Sequence, residues 1–189
     1  EARLNRIEID VRSTFSKMSG TLITKKKNIL SKDTIRGISF TKNDAKLTLI
    51  GVKDKPGIAA SIFKPLYENS INVDMVVQNV SAGGRETDLT FTIKLEDLKK
   101  TRKLVENNKH IRFRKLIVNN NVSKVSIVGV GMVTTPGITY RMFRALAKKK
   151  INIEVISTSE IKISVLINKK NLKKSVEILH QEFKLNNSL

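Results

Sequence analysis

The residues with the clearest chemistry sit in one short stretch, KDKPGIAASIF (53–63). A loop entering a helix at this point presents unpaired backbone N–H groups, and the helix dipole favours an anion there by about 0.3–1 kcal/mol when exposed. Gly57 lets a ligand reach the backbone with no Cβ in the way. Asp54, just ahead of Pro56, can hold an ammonium group beside a bound carboxylate. Gln78, further on, offers a donor and an acceptor together. Carboxylate plus ammonium describes an amino acid. The same residues also make an ordinary strand-to-helix connection, in which Asp54 is a solvated loop charge.

The turn is written twice. VTTPGITYRMF (133–143) matches it, and the pairs Pro56/Pro136, Phe63/Phe143, Leu66/Leu146, Ile71/Ile151 and Asn72/Asn152 are each 80 positions apart (136 minus 56 for the prolines). Self-similarity at a fixed spacing signals duplicated architecture. The second turn carries Thr134 where the first has Asp54, so it lacks the counter-ion and is expected to bind a ligand less well or to serve packing.

The elements that must position these turns follow from pattern. AKLTLIGV (45–52) and VSKVSIVGV (122–130) are rich in β-branched residues and are predicted strands. Proline suits the first turn of a helix. From it, Ile58, Ile62, Phe63 and Leu66, then Ile138, Met142, Phe143 and Leu146, mark one helical face. Second strands fall at 71–80 and 151–159, third strands at 86–95 and 160–167, and second helices at 95–108 and 171–183, with Leu98 and Leu172 equivalent. A fourth strand at 111–118 gives the first copy the order βαββαβ, the ferredoxin-like order. The second copy ends without a fourth strand. DTIRGISFT (33–41) is the spare strand that can fill this edge, which inserts the first copy within the second. The fold class is α+β: two ferredoxin-like βαββαβ domains packed as antiparallel sheets with helices on one face. The first takes residues 43–119 and the second residues 33–42 plus 120–189. Residues 1–30, with one strand-like stretch (IEIDVRS) and a Gly-containing turn, look like the end of something preceding.

Composition narrows the function classes. The chain has 189 residues, 40% of them hydrophobic, which suits two small globular domains. Absence of Cys excludes disulfides and thiolate metal sites, and only His110 and His180 offer imidazole, so no metal site is expected. No apolar run spans a bilayer and no signal peptide opens the chain; the expected compartment is the cytoplasm. Residue 1 is Glu rather than Met, which leaves open a fragment of a longer protein or a separately made chain. Lys and Arg number 36 against 17 acidic residues, a net charge of +19. That charge makes an RNA-binding ferredoxin-like protein the alternative function. A Lys- and Asn-biased composition on solvated surfaces accounts for it better, and aromatics are only 5%, with Phe91 one of few strand candidates for base stacking. Nucleic acid is therefore not the expected partner.

The motifs VRSTF…GTLI (11–23), DKPGIAASIF (54–63), INVDMVVQNVS (71–81), TDLTFT (87–92), KVSIVGVGM (124–132), INIEVISTSEIKISVLI (151–167) and LHQEF (179–183) resemble the regulatory half of the aspartate kinase family. The likeness covers nearly the whole chain. It implies two ACT domains, one inserted in the other, that bind an end-product amino acid, lysine or threonine. Binding would inhibit ATP-dependent phosphorylation of L-aspartate at the start of lysine, threonine and methionine synthesis. It places effector contacts on Asp54, Gly57, Ala59, Asn72, Val73, Asp74 and Gln78 in the first domain. In the second they fall on Ile138, Thr139, Asn152, Ile153, Ser159 and Glu160. Asn152 and Ile153 are expected to close a pocket from the neighbouring domain, and Ser81 and Thr90 to affect the strength of feedback. The resemblance also implies a homodimer joined through sheet edges and a kinase domain or catalytic subunit as partner. No Gly-rich phosphate loop or acidic magnesium cluster occurs, so no catalytic residue is assigned. ATP and magnesium are expected only with the missing kinase domain, and the chain alone is expected to be inactive.

Overall fold

The computed structural model describes residues 5, 7–15, 20–23, 35–80, 84–132 and 135–185. They fall into two compact units, residues 1–32 and 33–189. The first holds a small antiparallel pair, β1 (Ile9–Val11) and β2 (Thr21–Ile23), with Ile9 opposite Ile23.

The second unit is one six-stranded antiparallel sheet with four helices. In chain order its elements are β3 (Gly37–Lys53), α1 (Ile58–Glu68), β4 (Val73–Val80), β5 (Glu86–Lys94) and α2 (Leu98–Glu106). These are followed by β6 (Lys115–Val128), α3 (Ile138–Lys148), β7 (Ile153–Ser159), β8 (Lys162–Asn168) and α4 (Leu172–Glu182). The strands lie in the order β4-β5-β3-β6-β8-β7. Two ferredoxin-like arrangements share its middle.

Residues 45–52 and 33–41 read as separate strands in the sequence, yet 37–53 is a single strand; 115–128 likewise joins two predicted strands. The polar residues Lys42–Asp44 and Asn119–Asn121 resemble turns, but they keep their place beside a partner strand. Register shifts at 41–46 absorb the change of direction without breaking the strand. Residues 37–41 pair with 124–128 of the second repeat, whereas 44–53 pair with β5 of the first. Residues 33 and 34 of the predicted strand lie outside the described residues.

Side-chain alternation explains the two cores. Ala45, Leu47 and Leu49 point to the helix side of β3 and are fully buried, while Lys46 and Thr48 point to the other face. Ile58, Ile62 and Leu66, one helical turn apart, close the first core with Phe91, Ile93 and Val105. Phe63 meets the Phe91 ring edge-on, centroids 5.3 Å apart. Val125, Ile127, Val165 and Ile167 form the second core with Met142, Leu146 and Leu179. A third, smaller cluster of Met75, Val122, Val155 and Leu166 joins the sheet faces that carry no helices.

Candidate functional site

At the first turn, Gly57 caps α1 in the left-handed region (φ 86°), with no side chain capping the helix end. The Ile58 N–H turns back to the Lys55 carbonyl at 3.2 Å, and the Ser61 N–H opens the helical ladder on the Gly57 carbonyl at 2.9 Å. Between them, the Ala59 and Ala60 amides have no backbone acceptor among the described residues. Helix-end donors of this kind can serve water or an anion. Asp54 is half-buried at the base of the loop, its own N–H donating to the Arg85 carbonyl at 3.0 Å.

The second turn repeats this end. Gly137 caps α3 at φ 89°, again without a side-chain cap, and the Arg141 N–H opens the ladder on the Gly137 carbonyl at 2.9 Å. Ile138 is buried in the second core, and Thr139 is exposed. Thr134, the counterpart of Asp54, lies outside the described residues, as does Ser81.

The sheet register sorts the predicted contacts into three places. Asp54, Gly57 and Ala59 lie at the far end of the first repeat, and Gln78 lies on β4 opposite Leu89, in the half of the strand nearer that end. Ile138, Thr139, Ser159 and Glu160 lie at the far end of the second. Glu160 sits in the β7–β8 turn rather than on the predicted strand, and the Ser159 hydroxyl donates to the Lys162 carbonyl at 3.3 Å. Asn72, Val73, Asp74, Asn152 and Ile153 lie near the middle, because Val73 pairs with Ile93 and Ile153 with Ile167. From the level of Arg85 to that of Ile93 is about 25 Å of strand. Within one chain, therefore, Asn152 and Ile153 do not close a pocket over the first turn, contrary to the sequence expectation. A β-strand that starts near the crossover must end away from it.

What the chain brings together at the middle is a set of reciprocal pairs. Lys46 of the first repeat bonds Glu154 of the second at 2.6 Å, and Lys124 of the second bonds Asp74 of the first. Asp74 and Glu154 are equivalent positions, as are Lys46 and Lys124. Asn119 also donates to Glu154, at 3.1 Å. Above them, on the same faces, Thr48 and Thr90 share a hydrogen bond of 2.9 Å, and Ser126 and Ser164, their counterparts, one of 2.8 Å.

The ACT domain family model matches residues 47–108 and 125–183, one match per repeat. The chain belongs to the ACT domain family. Its likeness runs to aspartate kinases throughout. It is 43% identical to the aspartate kinase of Pseudomonas fluorescens (strain SBW25) over 181 residues, 95% of this chain and 44% of that protein. The regulatory subunit of Thermus thermophilus aspartate kinase, solved ligand-free, is 36% identical with a TM-score of 0.74. The match covers 79% of this chain and 99% of that one. A chain from the aspartokinase alpha and beta subunit structure is 38% identical with a TM-score of 0.72, over 80% of this chain and 99% of that one. This chain thus spans less than half of the full-length curated relatives it matches, and nearly all of the regulatory subunits.

Two cavities, of about 660 and 480 Å³, lie away from both ACT turns. One is lined by Thr41, Asp44 and Lys94 at the strand crossover, the other by Leu98, Arg102 and Asn120. Phe91, the strand aromatic that base stacking needs, is fully buried against Phe63. The ion pairs Lys46–Glu154 and Lys124–Asp74 were not foreseen, since charges 108 and 50 residues apart meet only through sheet packing. The 80-residue equivalence of Asp74 and Glu154 was the available signal.

Proposed function

We propose that this chain is the regulatory part of an aspartate kinase, binding lysine and/or threonine to restrain ATP-dependent phosphorylation of L-aspartate in lysine, threonine and methionine synthesis. The observation that carries this is the first ACT turn. Outward amides at Ala59 and Ala60, a left-handed Gly57 and a nearby Asp54 form a complement to carboxylate plus ammonium. The aspartate kinase relatives give the amino acid a metabolic reason.

Residues 43–119 form one domain and residues 33–42 plus 120–189 the other, with 1–30 the end of a preceding kinase domain. That domain, or a separate catalytic subunit, supplies ATP and magnesium chemistry in the cytoplasm. The opposed ends of each repeat suggest how the contacts combine. A second copy of the chain, its second-repeat strand β7 running antiparallel beside β4 of the first, brings its own Asn152 and Ile153 over the first turn. The same step sets Asn72 to Asp74 beside that copy's Ile138 and Thr139. Sites completed at such a seam make the homodimer part of the mechanism. An effector preferring one arrangement of the seam shifts the kinase by no more than its differential affinity, typically about 1–3 kcal/mol.

A thermal-shift screen of the chain against the twenty amino acids tests this. Lysine or threonine at millimolar concentration raises the melting temperature, because a ligand selective for the folded state stabilises it. No shift with any amino acid contradicts it. Tight RNA binding that falls steeply with salt would favour the RNA alternative instead.

A further inference from the structure

The two turns are reached by different routes. In the first repeat, β3 changes register between Leu49 and Val52. Gly51 sits in the left-handed region there (φ 67°), and its N–H donates to the Asp88 side chain, Oδ1, at 2.9 Å. Asp88 is half-buried on β5 between Thr87 and Leu89, both fully buried. Arg114 closes over Gly51. Its N–H donates to the Ile50 carbonyl at 2.7 Å, and its guanidinium reaches Glu86 at 2.8 Å. In the second repeat the matching Gly129 N–H donates to a backbone group, the Ile161 carbonyl, at 2.9 Å. A 3-10 turn over Val130–Met132 follows, and Lys162 occupies the place of Asp88.

We infer that Asp88 is a positioning residue for the first-turn amino-acid site. By accepting the Gly51 N–H it fixes the bulge that sets the direction in which β3 delivers Asp54 and the outward amides of Ala59 and Ala60. The inference rests on the proposal that this turn binds an amino acid. Gly51 has the widest choice of backbone conformation of any residue type. Nothing in the strand ladder restrains its N–H, because the bulge has removed it from β5's backbone acceptors. Without the carboxylate, that donor loses its acceptor and the glycine is free to choose another conformation. A rotation three residues ahead of Asp54 carries that carboxylate away from any ammonium group it holds. Preorganisation is then lost from the site while the core beneath it stays packed.

The experiment is calorimetric titration of the chain with L-lysine and with L-threonine, together with amide hydrogen exchange. The variants are Asp88→Ala, Asp88→Asn and, as the second-repeat counterpart, Lys162→Ala. Asp88→Ala weakens binding about tenfold and speeds exchange at Gly51 and across the 53–60 loop, leaving 129–140 unchanged. Asp88→Asn keeps an oxygen acceptor at the same place and recovers most of the affinity. Lys162→Ala binds like the unaltered chain. Wild-type affinity in Asp88→Ala, or an Asp88→Asn variant as weak as the alanine one, overturns the inference. If the unaltered chain takes up neither amino acid, the proposed function of the turn falls. Asp88 is then judged by exchange alone, where unchanged rates at Gly51 in Asp88→Ala overturn it. Asp88→Thr, which suits a strand but falls short of Gly51, serves if the alanine variant does not fold.

Discussion

The first and second repeats differ most where their helices begin. Both cap the helix with a left-handed glycine, Gly57 at φ 86° and Gly137 at φ 89°, and both helices run eleven residues. Yet the first turn follows a bulged strand whose Gly51 N–H is held by the Asp88 side chain, and the second follows a 3-10 turn whose preceding Gly129 N–H is held by the Ile161 carbonyl. The cores differ too. Phe91 stacks edge-on against Phe63, whereas Val165 fills the equivalent place beside Phe143. Duplication has kept the helix end that can face a ligand and let its supports diverge. A shared motif therefore does not imply equal sites.

Removing the ring of Phe91 is the harshest way to separate the copies. Phe91→Ala is expected to cost about 3–5 kcal/mol, because a fully buried ring leaves a cavity and strands Phe63. Val165→Ala is expected to cost about 2 kcal/mol, because it shortens the side chain by only two methyl-sized groups. Urea unfolding of the two variants reads the difference directly. Equal losses would mean the first core relaxes around its cavity.

The reciprocal ion pairs sharpen the comparison on the opposite face. Side chains of Lys46 and Glu154 are each 18% exposed, but Asp74 is 52% exposed beside Lys124. Lys46→Met leaves Glu154 with Asn119 alone in a largely dry setting, and is expected to cost about 1.5–3 kcal/mol. Lys124→Met leaves an acid that water can solvate, and is expected to cost under about 1 kcal/mol. Chemical denaturation at low and high salt checks both; a larger loss for Lys124→Met would reverse the ranking of the two pairs.

The most symmetric effects are expected at the two helix caps. A Cβ at Gly57 or Gly137 meets nothing within 4 Å, so Gly57→Ala and Gly137→Ala suffer only backbone strain, about 1–2 kcal/mol each. A cost that differs between the two by more than about 1 kcal/mol would show that the turns are not structural equivalents, whatever their dihedral angles.

Much of this was legible in the sequence because local chemistry writes it. Pro56 and Gly57, then Ile58, Ile62 and Leu66, specify a strand end, a turn and an apolar helical face within ten residues, and the second copy repeats the message. Continuity of β3 through Lys42–Asp44 was not legible, because polar residues break a strand only where no partner strand holds them. The placement of Asn152 and Ile153 also escaped. Their strand was assigned correctly, but which end of the sheet it starts from is a property of topology rather than of any residue. Asp88 gave no sign. An acid on a strand is ordinary until the backbone opposite turns an N–H toward it.

Calorimetric titration of the chain and of Asp54→Ala with lysine and threonine addresses the central claim most directly. The unaltered chain is expected to release or absorb heat with at least one of the two. Loss of the carboxylate proposed to face the ammonium group is expected to weaken that binding at least tenfold, about 1.4 kcal/mol. Identical isotherms for the two proteins, or no heat from either amino acid at millimolar concentration, would contradict the assignment of the first turn as the place where the amino acid is held.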